Sequence, residues 1–315
     1  MKLSIVTTLY GSEQYVEAFY EKCVKMEGIL KMSSVEFILV DDGSFDNSNS
    51  IARDLVQAKK NVNLLELSRN YGHHEAMLEG LAHADGDLIF LIDSDLEEDP
   101  NWFSEMFNEL IEKKLDVVYT VQRKRRKSFI GGGWLASIYY KLFRILTGIN
   151  QPDNIMTCRL MTKNYLSGLL QFKEREVNIG GLFLFAGYRQ SAMEFDKQNS
   201  SPTTYSISHK VNHFVNAVTS FSALPLYISF YLGALLTFLS LTYTVFLFVK
   251  SFTVGEVSSG YWSTIISIWF FSSVQLMFVG ILGIYLSKIY SEVKGRPRVL
   301  VADKVGPKFN NAREQ

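Results

Sequence analysis

Residues 86–100 read GDLIFLIDSDLEEDP, a short apolar run that stops abruptly at acidic side chains. A run of this length between polar turn residues is typical of a buried strand, so we predict a strand over Leu88–Ile92. Residues 35–44, VEFILVDDGS, repeat the pattern, with a strand over Phe37–Val40 followed by two acids and a glycine. Two strands that end in carboxylates predict a sheet with polar groups gathered at one edge.

The rest of the first half alternates strand and helix patterns. Apolar runs at Leu3–Leu9 and Val62–Leu67 predict two further strands. The stretches between the strands predict helices over Ser12–Leu30, Ser48–Lys59 and His74–Ala84. Such alternation predicts an α/β fold, in which a mostly parallel, Rossmann-like sheet carries helices on both faces. Ligands of these sheets bind at the carboxyl ends of the strands, where both acidic clusters fall.

The composition excludes several classes of protein. The 315 residues carry 32 basic and 32 acidic side chains, so the formal net charge is zero and we expect no nucleic-acid partner. The two cysteines, Cys23 and Cys158, form no disulfide framework, which fits a reducing cytosol. The chain contains no GxGxxG, GxxxxGKS/T or GxSxG pattern, so dinucleotide-binding, P-loop and serine-hydrolase proteins are excluded.

The C-terminal part contains two long stretches without a charged side chain, at 226–249 and 262–286. Each exceeds the ~20 residues that a helix needs to cross ~30 Å of hydrocarbon, so we predict a hairpin of two transmembrane helices. Basic residues precede the first stretch and follow the second. The positive-inside rule then places both flanks and both termini in the cytosol, as in a multi-pass protein of the inner (cytoplasmic) membrane.

The predicted organisation has four parts. Residues 206–223 place apolar side chains on one helical face directly before the first span, which indicates an interfacial helix that lies along the headgroups. The parts are a cytosolic α/β domain over 1–205, the interfacial helix over 206–223, two transmembrane helices within 224–287 and a cytosolic tail over 288–315.

Asp93 and Asp95 frame a DxD sequence directly after a predicted buried strand. Two carboxylates this close in sequence can hold one hard divalent cation through oxygen ligands. Such a cation can bridge a nucleoside diphosphate and neutralise the charge that develops on a leaving group. A different interpretation stays open, because an acidic turn before Asp99 and Pro100 can also simply begin the next helix.

The DDGS cluster at 41–44 also allows two interpretations. Asp41 and Asp42 can accept hydrogen bonds from a base or from a ribose hydroxyl, and Gly43 permits the close approach of another backbone. Alternatively, the cluster is the N-cap region of the helix that follows it.

Basic side chains occur at two further places. Arg69 follows the third predicted strand and can pair with a phosphate, whereas the adjacent His73 and His74 lack the spacing of a metal site. Residues 123–127, RKRRK, form a basic run. Such a run is either a solvated surface or, near a membrane, a contact to anionic headgroups or to the phosphate of a lipid substrate.

Taken in order, these segments resemble one family. TTLYGSEQY at 7–15, VDDGSFDNS at 40–48, LSRNYGHHEAM at 67–77 and the DxD segment resemble family 2 glycosyltransferases of the polyisoprenyl-phosphate type. This group includes dolichol-phosphate mannose synthase-like and bacterial undecaprenyl-phosphate glycosyltransferases. The later segments CRLMTKNYLSGLL and VKGRPRVL extend the likeness over nearly the whole chain. The resemblance implies a GT-A fold and inverting transfer from a nucleotide-sugar donor, with Mg²⁺ or Mn²⁺ as cofactor.

The resemblance also implies roles for individual residues. The positions that match contacts to the nucleotide sugar are Thr8, Tyr10, Glu13, Asp41, Asp42, Arg69, His73 and Asp93. The family's DxD corresponds to Asp93 and Asp95, with Asp95 as the direct metal ligand. The positions that match contacts near the lipid phosphate are Arg123, Ser137 and Arg159.

Thr157 departs from the family pattern. Many bacterial relatives read GDFRLM where this chain has MTCRLM at 156–161, so Thr157 replaces an acid that is often proposed as the base. A phosphate acceptor has a second pKa of about 6 and can attack with little help from a base, while Asp153 is an alternative acid nearby in sequence. The predicted catalytic set comprises Asp93, Asp95, Arg159 and Thr157.

The resemblance therefore implies a hexosyltransferase that moves a sugar from a UDP-sugar to polyprenyl (undecaprenyl) phosphate at the cytoplasmic face of the membrane. Two alternatives stay open: a transferase that acts on another lipid-linked or polysaccharide acceptor, and a catalytically silent scaffold. Processive relatives usually carry a QxxRW element and more spans, and neither is visible in this sequence. The resemblance further implies a homo-oligomer, a tetramer formed through the membrane regions.

Overall fold

The computed structural model describes residues 1–26, 28–123, 155–173, 179–196, 223–254 and 260–310. Within these ranges an eight-stranded sheet forms the centre of the first of two structural units. Its strands are β1 (Lys2–Leu9), β2 (Ser34–Asp41), β3 (Val62–Leu67), β4 (Leu88–Leu91), β5 (Val117–Gln122), β6 (Ile155–Thr162), β7 (Gln190–Phe195) and β8 (Val301–Val305).

Helices connect most of the strands, and two long helices form the second unit. In chain order the helices are α1 (Val16–Lys25), α2 (Ser48–Ala58), α3 (His73–Ala82), α4 (Trp102–Glu112), α5 (Lys163–Leu169), α6 (Ile179–Phe185), α7 (Leu224–Val254), α8 (Tyr261–Val293) and α9 (Pro307–Asn310). Helix α1 is shorter than predicted, because the backbone becomes extended at Met26 and left-handed at Gly28.

The sheet is mostly parallel, and two of its strands, β6 and β8, run antiparallel to their neighbours. Its order is β7-β5-β6-β4-β1-β2-β3-β8, and β4, β1, β2 and β3 run in the same direction. Strand β6 lies antiparallel between β4 and β5, and β8 lies antiparallel to β3. The predicted α/β fold of GT-A type, with a mostly parallel sheet, is confirmed.

Helices cover both faces of the sheet, as predicted. Ile5 and Val6 are neighbours on β1 and point to opposite faces, because side chains alternate along a strand. Ile5 lies in one core with Phe19 of α1 and Phe103 of α4, whereas Val6 lies in the other with Tyr165 of α5. Packing on both faces fixes the strands, so the carboxyl ends of β1, β2 and β4 are held at one edge.

The segment predicted as a tail over 288–315 contributes to the sheet. Its strand β8 pairs with β3, and Val301 lies opposite Leu67 at the carboxyl end of β3. Arg53 on α2 forms ion pairs with both Glu66 of β3 and Asp303 of β8, which ties the new strand to the sheet. A five-residue strand that carries two charged side chains gives no strand signal in the sequence.

Helices α7 and α8 belong to the second unit. Among the side chains that the structure describes, Ser267–Val293 is long and apolar enough to cross a bilayer, and Leu224–Leu236 is a shorter apolar segment. These residues support one of the two predicted spans, and the two-span hairpin stays a prediction. The predicted interfacial helix at 206–223 lies outside the described residues except for its last position.

Candidate active site

The carboxyl ends of three parallel strands meet at one edge of the sheet. Thr8 lies near the end of β1, Asp41 and Asp42 lie at the end of β2, and Asp93 follows β4. Helix α3 begins beside them at His73. Parallel strands end on the same side, so residues that are distant in sequence come together here. We call this group of five residues the carboxyl edge.

The ring of His73 connects two other residues of the carboxyl edge. Its Nδ1 lies 2.9 Å from Thr8 Oγ1, and its Nε2 lies 3.3 Å from Asp93 Oδ1. Burial lowers the pKa of His73, but the hydrogen bond and charge of Asp93, with the charges of Glu98 and Asp42, outweigh burial and raise the pKa. The two contacts hold the His73 ring between Thr8 and Asp93, and the imidazole donates to both partners when it is protonated.

The turn after β4 leaves both of its acids accessible to solvent. Ser94, between them, is buried and donates from Oγ to the Thr8 carbonyl at 2.9 Å. Because this middle side chain turns inward, Asp93 stays partly exposed and Asp95 is exposed. Leu96 then has a φ of 61°, a left-handed backbone that costs on the order of 1 kcal/mol or more. Such strain persists only where the surrounding contacts hold the turn firmly.

Asp93 and Asp95 supply the hard oxygen ligands that Mg²⁺ and Mn²⁺ prefer. In the ranges that the structure describes, no group of three or more His, Cys, Asp or Glu side chains could hold a metal ion. The oxygen donors of Asp93 and Asp95 fit an ion held by two carboxylates, whose other ligands would be water and phosphate oxygens. The helix-start interpretation applies to Asp99 instead, whose Oδ1 accepts from the backbone N of Asn101 at 3.0 Å.

Asp41 and Asp42 are buried, with exposed fractions of 3% and 2%. Asp42 accepts hydrogen bonds from the backbone N of Tyr71 at 2.7 Å and from that of Gly72 at 2.9 Å. Burial raises the pKa of Asp42, while these two hydrogen bonds oppose the shift. Asp41 accepts from Asn49 Nδ2 at 2.8 Å. Asp42 therefore holds the backbone of the loop before α3, Asp41 contacts a side chain of α2, and their contact with a base and ribose stays a prediction.

Gly43 makes the closest backbone approach at the edge. Its φ is +68°, and a Cβ added to it would lie 2.6 Å from the backbone of Arg69 and Asn70. The close approach expected of this glycine is therefore made by the chain's own β3–α3 loop. In that loop the exposed Arg69 stacks over the Tyr71 ring at 4.0 Å and donates to the Asn70 carbonyl.

The loop after β1 contributes to an aromatic pair that the sequence analysis missed. Tyr10 is 52% exposed and meets Phe45, which is 79% exposed, with ring centroids 5.5 Å apart and an edge-to-face geometry. Glu13 of the same loop accepts from the backbone N of Asn47 at 3.1 Å, which ties the loop to the start of α2. The signal in the sequence is a large aromatic residue at the centre of the acidic turn GSFD, where polar residues are expected.

Arg159, predicted for the acceptor side, is buried in β6 with 3% exposed. Its guanidinium lies 3.6 Å from the Phe183 ring centroid and donates to the carbonyls of Thr157 and Met156. Burial lowers the pKa of Arg159, against the opposing effect of neighbouring Tyr165. The described contacts of this arginine are thus inside the protein.

Arg123, at the end of β5, has the opposite environment. Its side chain is 61% exposed and lies 3.2 Å from Asp196 and 3.8 Å from Glu194. Among the described residues, no hydrogen bond or ion pair joins Arg123 to the carboxyl edge. The other residues predicted here, namely Ser137, the basic run at 124–127 and Asp153, lie outside the described residues.

Thr157 contacts the segment that follows the DxD turn. The β4–β6 register ends at the pair of Leu91 with Arg159, so Thr157 lies beyond it, where the pairing of β6 with β5 is irregular. The backbone N of Thr157 donates to Glu98 Oε1 at 3.0 Å. Glu98 is 1% exposed but gives no signal of this burial in the sequence, because it stands in an acidic run at 97–99 that is typical of a solvated helix start.

Proteins of similar sequence define the class of this chain. A Mycobacterium tuberculosis protein named among the glycosyltransferases is 40% identical over 305 residues, which cover 96% of this chain and 87% of the relative. The SfII prophage-derived bactoprenol glucosyl transferase of Shigella flexneri is 30% identical over 306 residues, which cover 96% of this chain and 97% of the relative. With acids at the carboxyl edge of an α/β sheet, the chain is a glycosyltransferase.

The family follows from a match to residues 4–170 by the model for glycosyl transferase family 2. The chain belongs to this family, which confirms the resemblance. A solved structure of glucosyl-3-phosphoglycerate synthase from Mycobacterium tuberculosis, in complex with Mn²⁺, UDP and glucosyl-3-phosphoglycerate, has a TM-score of 0.48 at 16% identity. The match covers 70% of this chain and 80% of that one. At this level the likeness concerns the fold alone.

Proposed function

We propose that this chain transfers a sugar from a UDP-sugar to polyprenyl phosphate, with inversion at the anomeric carbon. The observation that carries the proposal is the Thr8–His73–Asp93 contact, which fixes one carboxylate of the DxD turn at the carboxyl edge of the sheet. The bactoprenol glucosyl transferases among the relatives support a polyprenyl acceptor. They match nearly the whole of this chain at about 30% identity.

Each residue of the donor site has a proposed role. Asp93 and Asp95 hold Mg²⁺ or Mn²⁺, and the bound ion supplies charge neutralisation for a nucleoside diphosphate leaving group. His73 orients Asp93 and adds positive charge near the diphosphate. The exposed Arg69 offers a further cation to phosphate, and the Tyr10–Phe45 pair offers ring surface to the base.

In the proposed reaction, an oxygen of the acceptor phosphate attacks the anomeric carbon from the side opposite the leaving group. The new bond forms as the bond to the nucleoside diphosphate breaks, so the diphosphate leaves with the electron pair and the configuration inverts. The acceptor has a second pKa of about 6, so at neutral pH it is largely dianionic and presents no proton to remove. The proposal therefore needs no general base at Thr157.

The acceptor phosphate needs a cation that it can reach. Arg123 is exposed, and its partners Glu194 and Asp196 are exposed acids whose displacement costs little. Arg159 is buried beneath Phe183, so its proposed contribution is to shape the start of β6 rather than to project into the acceptor site. Ser137 completes the proposed acceptor set.

The proposed organisation places the reaction at the cytoplasmic face of the inner membrane. It keeps the catalytic domain over 1–205, the interfacial helix over 206–223, the hairpin within 224–287 and the tail over 288–315. Helices α7 and α8 contain 31 and 33 residues, and each exceeds the ~20 residues that cross a hydrocarbon core. Their large side chains, such as Phe230 and Trp269, are exposed, as lipid-facing groups are. A homotetramer is proposed on the resemblance alone.

The test offers labelled UDP-glucose, UDP-GlcNAc, UDP-galactose and GDP-mannose separately to membranes that contain the protein, and then identifies any labelled glycolipid. The expected product is a polyprenyl-phosphate sugar from one UDP-sugar. Label that enters a polysaccharide or a larger lipid-linked sugar would favour the alternative acceptor. If the purified protein released no nucleoside diphosphate from any donor, the transferase proposal would be wrong and the silent scaffold would replace it.

A further inference from the structure

Two buried side chains, one acidic and one basic, contact the backbone of the same residue, one at its N–H and the other at its carbonyl oxygen. Glu98 is 1% exposed, and its Oε1 accepts from the backbone N of Thr157 at 3.0 Å. Arg159 is 3% exposed, and its Nε donates to the backbone O of Thr157 at 3.1 Å. We call this arrangement of Glu98, the Thr157 backbone and Arg159 the Thr157 clamp.

The charges of the clamp depend on each other. A buried guanidinium is costly unless nearby groups compensate its charge. The ring of Phe183 and two backbone carbonyls contact Arg159, and these groups carry no net charge. The carboxylate of Glu98, which contacts the same residue at its backbone N, is the acidic group of the clamp. Its effect on the pKa of Arg159 opposes that of burial, as expected for a compensating charge.

The clamp also anchors one end of the DxD turn. At the other end, Ser94 Oγ donates to the Thr8 carbonyl at 2.9 Å. The strained Leu96, with a φ of 61°, lies between the two anchors, as does the exposed Asp95. A left-handed leucine is stable only when contacts on both sides hold it, so loss of either anchor lets the turn relax. The direction of the Asp95 carboxylate therefore depends on Glu98.

We propose that Glu98 is a positioning residue for Asp93 and Asp95, which acts by its charge through the Thr157 clamp and without contact to substrate. The inference rests on the proposed metal-binding role of the two aspartates. A carboxylate behind metal ligands governs metal affinity when it fixes the ligand direction, even though it does not touch the ion.

The first experiment separates the charge of Glu98 from its hydrogen bond. Glu98→Gln keeps an oxygen that accepts from Thr157 N but removes the charge. The matched control is Glu105→Gln, which removes an exposed carboxylate from the neighbouring helix α4. Amide hydrogen exchange of the full chain in detergent without metal compares the variants. We expect faster exchange over 94–99 and 155–159 in Glu98→Gln, and wild-type exchange in Glu105→Gln.

The second measurement concerns the metal ligands directly. Binding of Mn²⁺ in the presence of UDP is followed by the paramagnetic resonance of the free ion, which requires no turnover. We expect the Mn²⁺ dissociation constant of Glu98→Gln to rise about tenfold, as for other groups behind metal ligands. Wild-type exchange together with wild-type Mn²⁺ affinity in Glu98→Gln would overturn the inference.

A double variant tests whether Arg159 and Glu98 act together. Arg159→Met leaves the Glu98 carboxylate without its compensating charge, so we expect exchange over 94–99 to increase more in this variant than in Glu98→Gln/Arg159→Met. If the increase in exchange rate in the double variant equalled the sum of the increases in the two single variants, the proposed coupling between Glu98 and Arg159 would be wrong. If the wild-type protein bound no Mn²⁺ with UDP, the metal-dependent function would fail, while the exchange data would still decide whether the clamp holds the turn.

Discussion

The two sides of the candidate site hold their functional residues in different ways. Beside the parallel strands β1 and β4, Thr8, His73 and Asp93 contact one another through the His73 ring. Beside the antiparallel strand β6, Arg159 lies under an aromatic ring, while Arg123 of β5 pairs with surface acids. The residues of the proposed donor side therefore form one connected cluster. The two arginines of the proposed acceptor side instead have different neighbours and different exposure.

The largest expected effect is on activity, at the connected side. Asp95 is exposed and accepts from the backbone N of Glu97, so we expect Asp95→Ala to fold and to remain in the membrane. Transfer should fall by at least about a hundredfold, since a metal-held diphosphate contributes several kcal/mol to the reaction. Glycolipid formation measures the effect, and Asp54→Ala, at an exposed acid of α2, is the control. Wild-type rates of sugar transfer by Asp95→Ala would contradict the proposed metal-binding role of the DxD turn.

The two arginines of the acceptor side should separate stability from substrate binding. We expect Arg159→Met to lower the free energy of unfolding by about 3 kcal/mol, because it leaves a buried carboxylate uncompensated. Arg123→Met removes an exposed ion pair, so its unfolding should match wild type while the KM for polyprenyl phosphate rises. Thermal unfolding in detergent and acceptor titrations measure both quantities. An equal loss of unfolding free energy in the two variants would contradict the inferred difference between the buried Arg159 and the exposed Arg123.

Two glycines of the donor side offer a matched pair for stability. Gly43→Ala combines a left-handed φ of +68° with a Cβ placed 2.6 Å from backbone atoms, so we expect a loss of about 2 kcal/mol or more. Gly72 has a φ of +101° but an added Cβ meets nothing within 4 Å, so Gly72→Ala should cost about 1 kcal/mol. Denaturant unfolding measures both changes. A larger loss of stability in Gly72→Ala than in Gly43→Ala would show that the close backbone contact at Gly43 does not limit the loop.

A smaller effect is expected at the aromatic pair. Phe45→Ala removes the more exposed ring of the Tyr10–Phe45 pair, and we expect the dissociation constant for UDP to rise by about three- to tenfold. The control is Phe185→Ala on α6, which removes a ring that is 57% exposed and is in contact with Phe172. Calorimetric titration with UDP compares the two. Equal affinities in both variants would exclude Phe45 from the donor site.

The smallest expected effect is the pH dependence of stability that comes from His73. Its pKa is raised in the folded protein, so its contribution is fully present below the unfolded value of about 6.5 and is lost as pH rises through the folded pKa. The difference in unfolding midpoint between wild type and His73→Gln should therefore shrink above about pH 6.5. His74→Gln controls for loss of an imidazole from the same helix. A difference that grows with pH would contradict the raised pKa.

The sequence predicted the placement of the acids at one edge of the sheet, for a physical reason. Apolar runs of β-branched residues mark the central strands, and the polar residues that end them must fall at one edge of a parallel sheet. The positions of Asp41 and Asp93 at this edge therefore followed from the sequence without knowledge of the packing, whereas His73 was singled out only by the family resemblance. Gly43 was also found, although its close neighbour is the chain's own backbone rather than a ligand.

The other features depend on contacts between distant segments. Glu98 stands between acids in the sequence and becomes buried only because β6 lies antiparallel beside β4. Arg159 alternates with Cys158 and Leu160 along β6, so the register of that strand decides that it points into the protein. Strand β8 follows α8 and reaches β3 from the other end of the chain. Local patterns carry no information about such pairings.

The pairing of β8 with β3 requires that any membrane crossings between β7 and β8 be even in number. Both strands belong to one sheet, so the chain that leaves after β7 must return to the same compartment before Val301. The edge of an open sheet does not lie in hydrocarbon, where its backbone groups would have no partners. A chain that crosses the bilayer through α8 must consequently cross it a second time before β8, and α7 is the long described helix in that interval. A variant in which β8 no longer pairs with β3 would lose this requirement for an even number of membrane crossings.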